Sequence, residues 1–177
     1  MSAGVDHEAI AERLLERARS HGADQAEVGI QTASGLSAEV RLGEVDTLEY
    51  HRDKECSLTV FIGQAQGSAT TTDFSEASLE ATAEKACALA RRTSPDPANG
   101  LADPERLARE IPDLDLDHPV EMGPEEAIER ARACEGAARG VDDRITNSEG
   151  AEFSWVRGTV AYANSHIYEL VDRYRPS

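Results

Sequence analysis

Apolar residues recur at helical spacing near the start of the chain. The stripe falls every three or four residues, at Ile10, Leu14, Leu15 and Ala18. Glu and Arg fill most positions between them, so the pattern predicts a helix over about 6–20 that buries one face. Gly22 follows as the expected end of this helix.

Alternation with a period of two replaces the helical spacing after Gly22. Five strand-like stretches follow, at 26–31, Leu36–Leu42, Glu44–His51, Ser57–Ile62 and Ser68–Thr72. The glycines between them read as turns. Because a parallel return needs a crossover of a dozen or more residues, strands joined by such short links must be antiparallel neighbours. The pattern therefore predicts an antiparallel meander of four or five strands.

The meander runs into a cluster of hydroxyl groups, Thr70-Thr71-Thr72, next to Asp73. A phosphate-binding loop would need several glycines and a lysine, which the cluster lacks. A nucleophile would need a base, and neither Lys nor His is near in sequence. Asp73 and Glu76 have the spacing of a capping box, with Ser75 as an alternative cap. We therefore interpret the cluster as the junction between a strand and a helix.

The helix that follows is predicted from one apolar face, formed by Leu79, Ala83, Ala86 and Ala90. Arg91 and Arg92 are expected in its last turn, where basic side chains favour the helix dipole. The helix should end near Thr93, because Pro95 and Pro97 cannot continue it.

Residues 93–120 are rich in Pro and Asp and predict an irregular connection. Gly123-Pro124 then starts a helix that lasts to about Arg139, and two strands are expected at Arg144–Trp155 and Val156–Asn164. A helix, a Gly-x-Asp turn and a strand pair thus occur twice, which suggests a partial internal repeat of the helix-strand-strand type.

These elements predict the α+β class, with an antiparallel meander flanked by helices. We divide the chain into a helix-meander-helix region at 1–98, a Pro/Asp-rich connection at 99–122 and a second, shorter helix-strand-strand unit at 123–177.

Composition narrows the range of functions. The 177 residues are 40% hydrophobic and 29% charged, with a net charge of −16. Nucleic-acid binding needs Lys and Arg to neutralise phosphates, so an acidic chain argues against it. Neither a membrane-spanning run nor a signal peptide is recognisable.

Cys56, Cys87 and Cys134 form no metal or disulfide pattern. Cys87 and Cys134 lie in helical patterns, where small core cysteines are expected. A reducing cytoplasm fits best.

Two motifs resemble metal sites only superficially. His7-Glu8 with Glu12 departs from H-E-x-x-H, because Ala11 occupies the place of the second His. Asp113, Asp115 and Asp117 alternate like a calcium loop, but His118 stands where such a loop needs Gly. The remaining histidines, His21, His51 and His166, show no paired spacing. We therefore name no catalytic, cofactor-binding or metal-ligating residue.

Several segments in order carry a resemblance to a known family. They are "ADQAEVGIQTASGLSAEVRLGEVDTLEYHRDKE", "GSATTTDFS", "ARRTSPDPANGLAD", "PDLDLDHP" and "DDRITNSEGAEFSW". Together they resemble the N-terminal region of the TldD/PmbA proteins, and the Thr-Ser-Pro-Asp-Pro and Arg-Ile-Thr-Asn-Ser-Glu-Gly runs resemble its PmbA (TldE) branch. The likeness extends to about His166, and "IYELVDRYRPS" departs from the glycine-rich strand of the family.

The resemblance implies an accessory role. TldD and PmbA proteins form a heteromeric zinc metalloprotease that acts in the cytoplasm on peptides and small proteins, and the family also carries an older label as modulator of DNA gyrase. The zinc motif belongs to TldD, outside the region covered here, so zinc is expected in a TldD-like partner. We expect this chain to contribute to assembly and to peptide access, through an exposed strand edge within 57–72. The alternative is a non-proteolytic adaptor that binds gyrase or another cytoplasmic protein.

Overall fold

The computed structural model describes residues 5–108, 110, 112–119, 122–166 and 171–174, the last four by their backbone only. Within these residues the helices are α1 (His7–Ser20), α2 (Glu76–Ala90) and α3 (Pro124–Arg139). The strands are β1 (Gln25–Arg41), β2 (Glu44–Ile62), β3 (Ala65–Thr71), β4 (Ala151–Asn164) and β5 (Val171–Tyr174), in the sheet order β3-β2-β1-β4-β5. The predicted α+β class is confirmed. No helix in the described part of the chain is long and apolar enough to cross a membrane.

The chain forms two compact units, each assembled from separate segments. The first comprises the described parts of Met1–Thr32, Asp53–Leu114 and Thr159–Tyr174. The second comprises the described parts of Ala33–Arg52 and Asp115–Gly158. The division of the chain at 99–122 stays a prediction.

The core of the first unit lies between two helices and the sheet. Leu14 of α1, Val28 of β1, Leu58 of β2 and Leu79 of α2 are all fully buried in one cluster. Each such side chain contributes about 1.5–3 kcal/mol by leaving water. The alternate buried positions of the parts of β1 and β2 in this unit face this cluster, as the period-two pattern predicts: they are Ala26, Val28, Ile30, Cys56, Leu58 and Val60.

Helix α1 has the predicted ends. Asp6 is the N-cap and accepts a hydrogen bond from the backbone N–H of Ala9 at 3.0 Å. Gly22 follows the C-cap with a φ of +86°, a conformation that L side chains rarely adopt. The helix is tied to α2 by ion pairs, including one of 2.9 Å between Arg17 Nε and Glu80 Oε2.

Helix α2 begins differently from the expectation. Ser75, the alternative cap, is the N-cap and accepts from the N–H of Ser78. The prediction of a capping box formed by Asp73 and Glu76 is wrong, because the Glu76 carboxylate forms ion pairs with Arg13 and Arg17 of α1. The α-helix ends at Ala90 and its C-cap is Arg91, so the two arginines expected in its last turn lie after it.

A tight hairpin joins β2 to β3. The pairing is antiparallel and runs from Ile62 opposite Ala65 to Cys56 opposite Thr71. Gly63 in the connecting turn has a φ of +59°. At Gly67 helix α2 lies directly on β3, because a Cβ there would be 2.2 Å from the backbone oxygen of Ala86.

The sequence pattern divides the sheet into too many strands. The stretches at 26–31 and Leu36–Leu42 belong to one strand, β1, and the stretches at Glu44–His51 and Ser57–Ile62 belong to β2. Gly35 does not form a turn. A Cβ there would lie 2.4 Å from the imidazole of His51, so this glycine serves close packing inside the second unit.

The C-terminal strands were also divided wrongly. Residues 151–164 form one strand, β4, where the pattern predicted strands at Arg144–Trp155 and Val156–Asn164. The sequence has no turn residue between Trp155 and Val156 to separate them. β4 then pairs antiparallel with β5, so a helix followed by two strands does recur, with other boundaries.

The second unit has a smaller core under α3. Pro124 occupies the first turn of α3, and Ala127 of this helix is fully buried. Leu36 and Ala38 of β1 pack in the same cluster, together with Met122.

The Pro/Asp-rich connection contains a short 3₁₀ turn, Pro104–Arg106.

Candidate functional site

The residues of the apparent metal motif on α1 do not converge. His7 is half-buried, and its Nε2 lies 3.2 Å from the hydroxyl of Thr32. Glu8 and Glu12 are exposed. The second apparent motif is similar: His118 Nε2 is 3.8 Å from Asp115, and Asp117 is bound by the guanidinium of Arg157 at 3.0 Å.

Across the described ranges, no group of three or more His, Cys, Asp or Glu side chains could hold a metal ion. A structural or catalytic zinc needs at least three protein ligands. The described side chains therefore do not fit a zinc ion.

The hydroxyl cluster ahead of α2 is a capping arrangement. The Thr71 hydroxyl lies 2.8 Å from that of Ser78 and accepts from the N–H of Asp73. Asp73 accepts from both the N–H and the hydroxyl of Ser75, and these bonds lower the pKa of its carboxyl. Each of these groups has a local partner, as the interpretation as a junction predicts.

The three cysteines differ in environment. Cys56 and Cys87 are buried, and burial raises the pKa of both thiols, that of Cys56 to about 12. A thiol with a raised pKa is a poor nucleophile. Cys134 is exposed on α3, so its prediction as a core residue is wrong. Helical spacing places Cys134 on the same side of α3 as Ala127 and Ala131, and its exposure shows that no other described element covers this end of that side.

A small cleft in the first unit, of about 70 Å³, is too small for a peptide. Two of its polar side chains already have partners. Asp24 accepts from the N–H of Gly63 at 2.6 Å, and the Ser165 hydroxyl accepts from the N–H of Ala26 at 3.0 Å. These two side chains are therefore already engaged in holding the chain itself.

The end strand of the sheet is the feature best suited to binding. Among the described strands, β3 is the first in the sheet order and pairs only with β2. Its outer residues Gln66, Ser68 and Thr70 are exposed, while Ala65 and Ala69 are buried. An edge strand presents backbone donors and acceptors to an extended peptide.

The register of β3 identifies the groups on this edge. A two-residue turn hydrogen-bonds its flanking pair, here Ile62 and Ala65, and antiparallel pairs then alternate between bonded and non-bonded. Thr70 lies opposite Ser57 at a non-bonded position. We therefore expect the N–H and C=O of Thr70 to point away from β2.

Sequence reasoning missed a buried carboxylate in the second unit. Glu135 of α3 is only 3% exposed and accepts from the backbone N–H groups of Leu42 and Gly43, at 2.7 and 2.8 Å. Burial opposes its ionisation, but these two donors, with the hydroxyl of Ser148 and the charge of Arg139, outweigh burial and lower its pKa. Glu135 therefore holds the β1–β2 turn.

That turn explains why a carboxylate is needed. Leu42 and Gly43 have φ values of +52° and +85°, as in a type I′ turn, which leaves both N–H groups outside the ladder. The sequence gives only a weak signal for this contact, because Glu135 lies about 90 residues after the turn and is one of several acidic residues on the same helix.

Both halves of the chain match known sequence families. Residues 26–90 match the PmbA/TldA metallopeptidase domain 1, and residues 117–170 match the PmbA/TldA metallopeptidase central domain. With the α+β architecture described above, this defines the class: the chain belongs to the PmbA/TldD family of metallopeptidases.

Individual relatives point to the PmbA branch. The chain is 45% identical over 143 residues to the metalloprotease PmbA of Escherichia coli O157:H7, covering 81% of this chain and 32% of that protein. It is 41% identical over 152 residues to the PmbA homolog of Haemophilus influenzae, covering 86% and 34%. The chain thus spans about a third of the length of these relatives.

Solved structures share the fold. TldE from Thermococcus kodakarensis matches with a TM-score of 0.70 at 19% identity, over 89% of this chain and 35% of that one. A protein of Bacteroides thetaiotaomicron, named as a candidate modulator of DNA gyrase, matches with a TM-score of 0.74 at 21% identity, over 97% and 38%.

Proposed function

We propose that this chain is the N-terminal region of a PmbA/TldE-like subunit of a cytoplasmic metalloprotease of the TldD/TldE type. Its role is accessory: it supports assembly with a TldD-like subunit and the access of peptide substrates, while the partner carries the zinc ion. The β3 edge carries the proposal. The identity to the E. coli PmbA supports the choice of branch.

The β3 edge suits the binding of a peptide because the groups that it presents are backbone N–H and C=O groups that are not bonded to β2. A peptide that adds a strand is held by main-chain hydrogen bonds, which tolerate many side chains. The exposed side chains on this strand are polar and uncharged, namely Gln66, Ser68 and Thr70.

The assembly is tested by light scattering of the 177-residue chain, alone and mixed with a purified TldD-like subunit. A mixed complex is expected. A chain that stays monomeric and ignores the partner would refute the assembly part of the proposal.

Peptide access is tested by replacing Thr70 with Pro, which removes the outward N–H without removing a ladder bond. Thr70→Ala is the matched control, because it keeps the N–H and loses only the side chain. We expect fluorescence anisotropy with a labelled extended peptide to show weaker capture by Thr70→Pro alone. Unchanged capture by a folded Thr70→Pro chain would contradict the role of this edge.

A non-proteolytic adaptor that binds DNA gyrase or another cytoplasmic protein is the second candidate, and the name of the B. thetaiotaomicron neighbour favours gyrase. Proteolysis that appears only when the longer protein meets a TldD-like subunit, and that chelation abolishes, supports the protease. Capture of gyrase with no such activity supports the adaptor.

A further inference from the structure

Helix α2 covers strand β3 and borders its edge. A Cβ at Gly67 would be 2.2 Å from the backbone oxygen of Ala86, so the helix lies directly on the strand there. At the other end of the strand, the hydroxyls of Thr71 and Ser78 lie 2.8 Å apart. These two contacts show that α2 runs antiparallel to β3 along most of the strand. An extended peptide added to the β3 edge therefore lies beside this helix.

Helix α1 covers one side of α2. Glu80 of α2 forms an ion pair with α1, and the thiol of Cys87 lies 3.7 Å from the backbone oxygen of Ala18. Helix α1 also reaches strand β1, because His7 lies 3.2 Å from Thr32. Since β1 is nearer the middle of the sheet than β3, the side of α2 that is turned away from α1 faces the β3 edge.

Four residues form a stripe along that side of α2: Ser78, Thr82, Lys85 and Leu89. They follow one another at a spacing of three or four residues, so they share one side of the helix. Two positions along a helix correspond to about 200°, which places Ser78 opposite Glu80 and Leu89 opposite Cys87. Lys85 and Leu89 are exposed. The α2 stripe thus offers one positive charge and one apolar side chain to a strand beside β3.

Lys85 carries the charge of this stripe without an internal partner. Within the described part of the chain it forms no ion pair or hydrogen bond. The carboxylates of Glu76 and Glu80 are paired with α1. Glu84 is exposed and lies about 200° from the buried Ala86, so it points away from the sheet. The Lys85 ammonium is therefore available to a partner at the β3 edge.

The spacing of Lys85 and Leu89 matches the repeat of a strand. Four residues of a helix span about 6 Å along its axis. Alternate residues of a strand point to the same side and lie about 6.6 Å apart. Two side chains that are two positions apart in an extended peptide can therefore reach Lys85 and Leu89 together.

We propose that the β3 edge selects extended peptides in which an acidic side chain lies two positions from an apolar one. Lys85 pairs with the acid, and Leu89 packs on the apolar side chain. The inference rests on the peptide access proposed above and adds the class of peptide. Backbone bonds to β3 hold any extended peptide, whereas the α2 stripe provides the selectivity. Because the chain has a net charge of −16 and repels acidic peptides, the preference depends on Lys85.

The experiment is fluorescence anisotropy of two labelled peptides with the 177-residue chain. One peptide has the core Leu-Thr-Glu-Thr-Leu, which reads the same in both strand directions, and the other has Gln in place of Glu. The wild-type chain is expected to bind the Glu peptide about two- to fivefold more tightly, as for an exposed ion pair. Lys85→Glu should reverse this order, because the acid then meets only negative charge.

Three controls separate the charge from the backbone contacts. Arg106→Glu, an equal charge change at an exposed site of the first unit, should keep the preference of the wild type. Thr70→Pro should weaken the binding of both peptides by the same factor, because it acts on the backbone of β3. Leu89→Ser should also weaken both peptides, since both contain leucine.

The outcomes distinguish this inference from the proposed function. Equal binding of the two peptides by the wild-type chain would overturn the selectivity and leave peptide access standing. A preference for the Glu peptide that survives in Lys85→Glu would do the same. A wild-type chain that binds neither peptide would overturn both the selectivity and the peptide access.

Discussion

The two halves of strand β2 show how differently one strand can be used. Residues 56–62 are paired with β3 and place Cys56, Leu58 and Val60 in the core of the first unit, fully buried. Residues 44–52 belong to the second unit and bury nothing. A strand is therefore stabilised by what pairs with it and packs on it, and each half can be tested separately.

The largest effect is expected at the buried half. Leu58→Ala should lower the free energy of unfolding by about 2–5 kcal/mol, because it removes a fully buried side chain and leaves a cavity. Urea unfolding followed by far-UV circular dichroism measures the loss. A change below about 1 kcal/mol would mean that this half is not the packed one.

The next effect is expected where α2 lies on β3. Gly67→Ala should cost about 1–3 kcal/mol, because the new Cβ would collide with the backbone of Ala86 and Ala90. Thermal unfolding measures it, and Gly136→Ala, at a helical glycine with no atom within 4 Å of the added Cβ, is the control. Equal melting temperatures for Gly67→Ala and the wild type would argue against this contact.

A smaller loss of stability is expected at the β1–β2 turn, which Glu135 holds next to the exposed half of β2. Glu135→Gln should destabilise the second unit by less than Gly67→Ala, because an amide replaces one acceptor oxygen with a donor facing a backbone N–H. The fluorescence of Trp155, the only tryptophan, reports on this unit. Glu129→Gln, an exposed change on the same helix, is the control.

The pH dependence sharpens the test of Glu135. Its pKa is lowered from 4.5 in the folded state, so its contribution is fully present above the unfolded pKa and is lost as pH falls through the folded pKa. The stability difference between wild type and Glu135→Gln should therefore shrink in acid. A difference that stays constant below pH 4.5 would contradict the ionised cap.

The smallest effect is expected at Leu48. Leu48→Ala should change the stability of the monomer by less than about 0.5 kcal/mol, although it is the same substitution as at Leu58. Urea unfolding at low protein concentration measures it. A loss comparable to that of Leu58→Ala would remove the contrast between the two halves.

Sequence reasoning succeeded where the signal is local. The helix over about 6–20 and its end at Gly22 follow from spacing and from backbone preferences within a few residues. The turns at Gly43 and Gly63 were found for the same reason, because positive φ favours glycine. The hydroxyl cluster was correctly assigned to the start of α2, although its cap was assigned to Asp73 instead of Ser75.

The division of strands failed because glycine has two uses. A glycine signals a turn in the sequence, but Gly35 lies inside β1 because a ring of another strand approaches it closely. A sequence does not show which of the two applies. The capping box failed similarly, since the arginines that attract Glu76 come from a helix about 60 residues earlier.

The sequence by itself determined the helices, the tight turns, the α+β class and, through its resemblance, the PmbA/TldD family. These depend on neighbours in the chain or on whole stretches of residues. Only the tertiary structure decided that α2 covers β3, that Glu135 holds a turn, and that residues 44–52 of β2 bury none of their side chains among the described residues. Each of these depends on contacts between residues far apart in sequence, which spacing alone does not encode.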